Sequence, residues 1–455
     1  MRRTIKEIAE WLNINCAGNL DTIVTGVSID TRTITKGDLF IPFRGESVNG
    51  HKYVEQAFDK GASATLWLKD EPNPPKDKPV LFVEDAELAL QEMARAYRNI
   101  HQAKFIGVTG SNGKTSSKDI LASMLSPFYK VQKTIGNFNN QLGLPITILN
   151  LDEDTDIAVL EMGMSGFGEI EFLTKLAKPH YAVITNIGEA HMQDLGSREG
   201  IAKAKFEIVL GLGSDGILFF DGDEPLLQNL VKEQPELTSK GFGFNSTNDL
   251  VATAIETTEQ GSHFTVVGEV NGEFFIPVLG KHQVKNSLNA ILLGKKLGLT
   301  EAQIQEGLAQ VSLTDMRMQL VPTNKGILFI NDAYNAAPTS MTAAIQFVQS
   351  TSLREDKWLV LGDMLELGDH EKQYHEQIAN VIDSNEISRV CLYGPRMKWL
   401  YDQLKLKFSN ENVIHTVNDY EEIVEYINQY ANEHTLILLK GSRGMKLETL
   451  LHSFK

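Results

Sequence analysis

The chain has 455 residues, of which 42% are hydrophobic, 22% charged and 8% aromatic; this excludes a small single module, a fibrous chain and a disordered one, and predicts about three domains. Its 43 basic and 59 acidic residues leave a net charge of −16, which repels a phosphate backbone, so nucleic acid is not an expected partner. The two cysteines, Cys16 and Cys391, suggest neither a disulfide framework nor a zinc site, as expected of a chain kept in a reducing cytoplasm.

Near the N-terminus Ile5, Ile8, Ala9 and Leu12 fall at helical spacing, with Lys6, Glu7 and Glu10 between them. Those charges rule out the apolar core of a signal peptide, and no later run reaches the ~20 apolar residues of a membrane span, so neither secretion nor membrane insertion is expected. Residues 1–99 form a first predicted domain, with a proline-bearing loop at 71–79, a strand in VLFVED and a helix in AELALQEMARAYRNI.

A second domain, 100–313, carries the strand runs FIGVTG, DIAVLEMG, HYAVITNIG and GILFFDGD, each leading into a turn or helix, the pattern of a mostly parallel sheet. Between 249 and 280 the pattern turns β-rich, with a hairpin predicted at Asn271-Gly272 from backbone that needs positive φ. The third domain, 314–455, alternates GILFINDAY, a helix after Pro338, KWLVLGDM, a helix near 371–383, SRVCLYG, a helix near 419–432 and HTLILLKGS. The predicted fold class is therefore α/β in three domains, with a P-loop-type central sheet and a doubly wound, Rossmann-like C-terminal sheet.

The strongest local signal is FIGVTGSNGKTSSKDIL, an apolar strand running through Gly110, Ser111, Asn112, Gly113, Lys114 and Thr115 into a helix. Such a loop aims backbone N–H groups and a helix N-terminus at a triphosphate, while the lysine adds charge and the hydroxyl can reach magnesium. Its spacing, GxxGKT, is shorter than the common pattern, and a purely structural strand-to-helix turn is the competing reading.

Glu161, directly after the strand IAVL, is the candidate carboxylate for a magnesium nucleotide, against a solvent-facing strand-end glutamate. His191 follows the next strand at the same carboxyl edge, against a structural or merely exposed histidine. Lys203 and Lys205, in EGIAKAKF, read as solvated lysines by composition alone. Asn286 and Asn289 lie three residues apart on a predicted helix, either facing a base edge or forming an internal polar face. Arg317, Asp332, Tyr334 and Asn335 form a further candidate binding edge, with Lys440 and Arg443 in LLKGSRG suited to a carboxylate or phosphate.

Together TGSNGKT, GNFNNQLGLP, LEMGMSGFGEI, TNIGEAH and LGDMLELG, with SIDTRTITKGDLFIPFRGESVNGH near the start, resemble the Mur ligase family over nearly the whole chain. The resemblance implies a small N-terminal domain for a UDP-linked substrate, where Ser28, Thr31, Arg32 and Gly45 match pocket positions, joined by Asn139 and Asn140. It implies that Thr115 and Glu161 bind a first magnesium, that His191 helps bind a second, and that Lys205 matches a lysine carried as a carbamate. Asn286 and Asn289 match the adenine contact, Arg317, Asp332, Tyr334 and Asn335 match contacts to ATP, and Lys440 and Arg443 match a motif near an incoming dipeptide.

The implied reaction is ATP-dependent amide synthesis between UDP-N-acetylmuramoyl-tripeptide and D-alanyl-D-alanine through an acyl phosphate, catalysed by a cytoplasmic monomer. Lys114, two magnesium ions and Arg317 would neutralise the charge of the transferred phosphoryl group, with His191 and Lys205 beside them. The alternatives are another amide ligase of the family, acting on a UDP-muramoyl-dipeptide or a folate, or a P-loop ATPase without ligase chemistry.

Overall fold

A computed structural model of the chain describes residues 1–14, 16–45, 48–417 and 419–454. By compactness the chain falls into two units, one of Met1–Thr109, Phe128–Val183 and Glu207–Leu218, the other of Gly110–Pro127, Ile184–Phe206 and Phe219–Lys455.

In the first unit the expected amphipathic helix is Ile5–Leu12, opened by a capping box in which Thr4 Oγ1 accepts from the Glu7 amide and Glu7 Oε2 accepts from the Thr4 amide. It buries Ile5, Ile8 and Ala9. A five-stranded sheet follows in the order Cys16–Ala17, Val80–Val83, Ala64–Leu68, Asp38–Phe40, Gly26–Ser28, parallel except at its first pair. Phe40, Val54, Ala57, Trp67 and Val80 pack into one of its cores.

The same unit holds the strands Val131–Lys133, Ile157–Glu161 and Lys104–Thr109 and all but the last residue of Tyr181–Ile184, adjacent in that order. The first three pair in parallel. Ile157–Glu161 and Tyr181–Ile184 are buried throughout and Lys104–Thr109 all but its first residue, which is why they read as unbroken apolar runs. From Lys104–Thr109 the chain winds outward to Val131–Lys133, returns to Ile157–Glu161 and then crosses to the opposite flank. The order thus reverses beside Lys104–Thr109, and open α/β sheets bind ligands at the carboxyl ends of such a pair.

In the second unit the glycine loop opens the helix Lys114–Leu125, here termed the loop helix, with Gly113 in the left-handed region (φ +80°) as its cap. Two further helices, Lys281–Lys296 and Glu301–Ala309, pack on it. The β-rich stretch is a three-stranded antiparallel meander, Leu250–Thr258, Gly261–Gly268 and Gly272–Ile276. Its second turn is closed differently from the expectation: Asn271 is not in the left-handed region. Instead its side chain accepts from the Gly268 amide at 3.3 Å and donates to the Gly268 carbonyl at 3.1 Å.

The C-terminal sheet runs in the order Gln319–Pro322, Leu328–Asn331, Thr435–Lys440, Asp356–Gly362, Arg389–Tyr393, Val413–Thr416, antiparallel only at the first pair. Alternate residues serve opposite cores: Leu359, Leu361, Leu436 and Leu438 face one, Trp358, Val360, Ile437 and Leu439 the other. Both faces are covered by apolar cores, as the alternation of strands and helices predicts.

Gly307, on Glu301–Ala309, lies against the backbone carbonyl of Met124 at the end of the loop helix, with no room for a methyl group. Alanine at an open helical position stabilises by about 1 kcal/mol relative to glycine. Here the sign reverses: Gly307→Ala is expected to cost about 1–3 kcal/mol in a urea-unfolding measurement. A gain in stability would show that the two helices are not in close contact.

Candidate active site

The glycine loop is gripped from the end of the strand Tyr181–Ile184. Thr185 Oγ1 donates to the Asn112 carbonyl at 2.5 Å, the Asn112 amide donates to Asn186 Oδ1 at 2.9 Å, and the Ser111 amide donates to the Asn186 carbonyl at 3.1 Å. Gly110 (φ +148°) lies so close to the Thr185 hydroxyl that a Cβ would displace it. Lys114 Nζ folds over the loop, donating to the carbonyls of Gly110 at 2.7 Å and Ser111 at 3.4 Å.

Arg317 meets this loop: its Nη2 donates to Thr115 Oγ1 at 3.2 Å, and its guanidinium lies 4.1 Å from the centre of the Tyr334 ring. Asp332 accepts from the Met318 amide at 3.2 Å and from Lys440 Nζ at 2.5 Å, and Lys440 also donates to the Asn335 carbonyl at 3.1 Å. Lys440 is therefore a buried partner of Asp332, while Arg443 is half-exposed and pairs with Glu448 at 2.7 Å.

Asn286 and Asn289 lie on Lys281–Lys296 and are both buried. Asn286 lies within van der Waals reach of Gly113, and its Nδ2 donates to Gln283, which in turn donates to Ser116. Asn289 Nδ2 donates to the Asn286 carbonyl at 2.5 Å and to Ser117 Oγ at 3.3 Å. The amides thus tie their helix to the loop helix. Buried polar atoms with no hydrogen-bond partner nevertheless remain here: Ser111 Oγ, Asn112 Nδ2, Asn289 Oδ1 and Arg317 Nε. Four such atoms around one glycine loop suit a ligand rich in polar groups, because each otherwise costs about 1–3 kcal/mol.

His191 has left-handed backbone (φ +66°) just before the short helix Met192–Leu195. Two residues apart on Arg198–Phe206, Lys203 is exposed and Lys205 is fully buried, so composition misjudges Lys205. Burial, and then the charge of Lys114, pull the Lys205 ammonium well below the ordinary lysine range, favouring the neutral amine.

In the first unit Glu161 ends its strand at 3% exposure and accepts from Asn139 Nδ2 at 2.9 Å. Asn140 Oδ1 instead accepts from the amides of Leu142 and Gly143, at the start of Gly143–Leu149. Ser28 ends its strand and bonds Thr33 Oγ1 at 2.9 Å, Thr31 donates to Gln56, and the exposed Arg32 pairs with Asp30 at 2.6 Å. The Gly45 amide donates to the Val48 carbonyl. Among the described residues, no three His, Cys, Asp or Glu side chains gather into a cation cage.

Sequence reasoning missed Thr185 and Asn186, although TN before IGEAH is a polar pair at a strand end. It also missed Lys285, beside Asn286, whose Nζ lies 2.5 Å from Asp221 and 3.1 Å from Asp223.

The chain matches three successive family models: Mur ligase family, catalytic domain, over residues 23–98; Mur ligase middle domain over 108–294; and Mur ligase, glutamate ligase domain, over 316–443. It belongs to the Mur ligase family. Over 453 residues, 99% of this chain and 98% of the relative, it is 46% identical to the UDP-N-acetylmuramoyl-tripeptide--D-alanyl-D-alanine ligase of Bacillus subtilis. A crystal structure of MurF from Acinetobacter baumannii superimposes with a TM-score of 0.88 at 27% identity, covering 99% of this chain and 98% of that one. The MurF ligase of Thermotoga maritima in complex with ADP does so at 0.83 and 27%, covering 95% and 97%. The fold is the three-domain α/β fold of these ligases.

Burial pushes the Asp221 carboxyl up to about 6, partly offset by Lys285. The folded state therefore holds this proton to higher pH than the unfolded chain does, and its contribution to stability is complete below the ordinary carboxylate value and lost as pH rises through about 6. Between pH 5 and 7.5 the wild type is expected to lose about 1 kcal/mol that Asp221→Asn retains, read from urea unfolding of both proteins. Parallel pH profiles for the two would remove Asp221 as the source.

Proposed function

We propose that this chain is an ATP-dependent ligase that joins D-alanyl-D-alanine to UDP-N-acetylmuramoyl-tripeptide, giving the pentapeptide precursor of peptidoglycan. The observation that carries the reading is the full-length kinship, at 46% identity, with a ligase named for that substrate pair. The enzyme works in the cytoplasm as a monomer, and its domains are 1–99 for the UDP-substrate, 100–313 for ATP and 314–455 for closing over the reacting groups.

ATP lies on the glycine loop, where Ser111 and Asn112 offer their unpartnered polar atoms to phosphate, and Asn289 Oδ1 accepts from the exocyclic amine of adenine beside Asn286. Lys114 and Arg317 oppose the charge that develops as the γ-phosphoryl group passes to the tripeptide carboxylate. The dipeptide amine then attacks the acyl phosphate and phosphate leaves. Arg317, Asp332, Tyr334 and Asn335 contact ATP; Tyr334 backs the Arg317 guanidinium, and Asp332 fixes the segment that carries it through the Met318 amide. Lys440, through Asp332, and Arg443 border the side from which the dipeptide enters. Ser28, Thr31, Arg32, Gly45, Asn139 and Asn140 bind the UDP-substrate.

Thr115, Glu161, His191 and Lys205 would hold magnesium, two ions in all, which supplies positive charge to the phosphates. For Lys205 this requires a carbamate, which converts a cation into an anionic oxygen donor. Carbon dioxide reacts with a neutral amine, the form that burial favours at this position.

Purified protein given ATP and UDP-N-acetylmuramoyl-tripeptide is expected to yield amide product, read by mass spectrometry, with D-alanyl-D-alanine and not with lysine, diaminopimelate or glutamate. Equal turnover with a single amino acid would move the chain to another branch of the family, and ATP hydrolysis without amide product would make it an ATPase. Lys114→Ala should lower kcat by about 100-fold or more with an unchanged melting temperature, since a cation beside the transferred phosphoryl group is lost. Lys205→Ala should be inactive and partly rescued by a short carboxylic acid; full activity without rescue would exclude the carbamate.

A further inference from the structure

The segment 312–317, which leads into the strand Gln319–Pro322, lies along one face of the loop helix. Thr115, Asp119 and Ser123 are spaced four residues apart on that helix and so share the face. They meet the segment in antiparallel order. Ser123 Oγ is 3.4 Å from both the amide and the carbonyl of Ser312. Asp119 Oδ2 accepts from the Thr314 amide at 2.9 Å and from its hydroxyl at 2.7 Å. Thr115 Oγ1 accepts from Arg317.

The middle contact is the strong one. Asp119 is fully buried, its other oxygen lies 3.7 Å from the ammonium of Lys118, and hydrogen bonds to a buried carboxylate are stronger than those between neutral groups. The segment also needs a clamp. Met316 and Met318, on either side of Arg317, both have left-handed backbone (φ +65° and +53°), which costs a non-glycine residue about 1–2 kcal/mol. A cavity of about 290 Å³ borders Ser312, Thr314 and Arg317, so close packing does not hold that side of the segment. Downstream the strained turn is fixed by the bond from the Met318 amide to Asp332. Upstream the corresponding anchor is Asp119.

We propose that Asp119 is a positioning residue for the ligase reaction: through Thr314 it fixes the place at which the strained turn 316–318 presents the Arg317 guanidinium to Thr115 and the glycine loop. Asp119 touches no substrate. The proposal rests on the reading of that loop as the ATP site, and it assigns the buried acid of the loop helix to setting the reach of an arginine 198 residues away in sequence.

Thr314→Val keeps the shape and the backbone donor while removing the hydroxyl, and Thr314→Ser restores the hydroxyl. In the full-length enzyme Thr314→Val is expected to lower kcat about 10-fold with the KM for D-alanyl-D-alanine within about 2-fold, while Thr314→Ser stays within about 2-fold of wild type in both. Trypsin cleavage after Arg317, followed by mass spectrometry without substrates, should accelerate about 5-fold in Thr314→Val and not in Thr314→Ser, because the turn opens more often. Asp119→Ala should exceed Thr314→Val in both measurements. Wild-type kcat in Thr314→Val, or equal losses in the valine and serine variants with unaltered cleavage at Arg317, would overturn the proposal. A wild-type protein that forms no amide while cleavage at Arg317 responds as described would support the clamp and sink the ligase reading instead.

Discussion

The structure depends on how the four residues Gly110–Gly113 are held. The phosphate role proposed for this loop needs N–H groups already aimed, so that little reorganisation is needed when charge arrives. Here the aim comes from the neighbouring strand end, where Thr185 and Asn186 bond the backbone of Ser111 and Asn112. The glycine at 110 lets that strand end approach, and the glycine at 113 both turns the chain and admits Asn286. Lys281–Lys296 is therefore tied to the loop at the same place where its own amides bond the loop helix.

Charge follows the same plan. Lys114 lies over the loop and Arg317 against its threonine, while the buried Lys205 is driven toward neutrality by burial and by Lys114. Lys114 and Arg317 are thus the two cationic groups beside the loop, while burial favours the neutral amine at Lys205. A uniformly cationic site would pay a larger desolvation cost.

Much of this was legible in the sequence, because it is local. The strand, loop and helix around TGSNGKT, the amphipathic helix at 5–12 and the alternating strands of the C-terminal sheet are written in periodicities of 2 and 3.6. Lys205 was half legible: it falls four residues after the buried Ile201, on the helix face opposite Lys203, but composition treats the two lysines alike. The closure at Asn271 was misread because the residue pair is right for a backbone turn, whereas a side chain bonding back to Gly268 does the work. The partners of Asn286 and Asn289 could not be read at all, since Ser116 and Ser117 lie some 170 residues earlier. The same is true of Asp119 and Thr314, whose pairing depends on tertiary packing.

Only Met318 separates Arg317 from Gln319, the first residue of the C-terminal sheet. Consecutive Cα atoms are about 3.8 Å apart, so the backbone from Arg317 to the sheet edge spans at most about 7 Å. The arginine that meets the glycine loop is therefore a two-residue step of backbone from the edge of a six-stranded sheet.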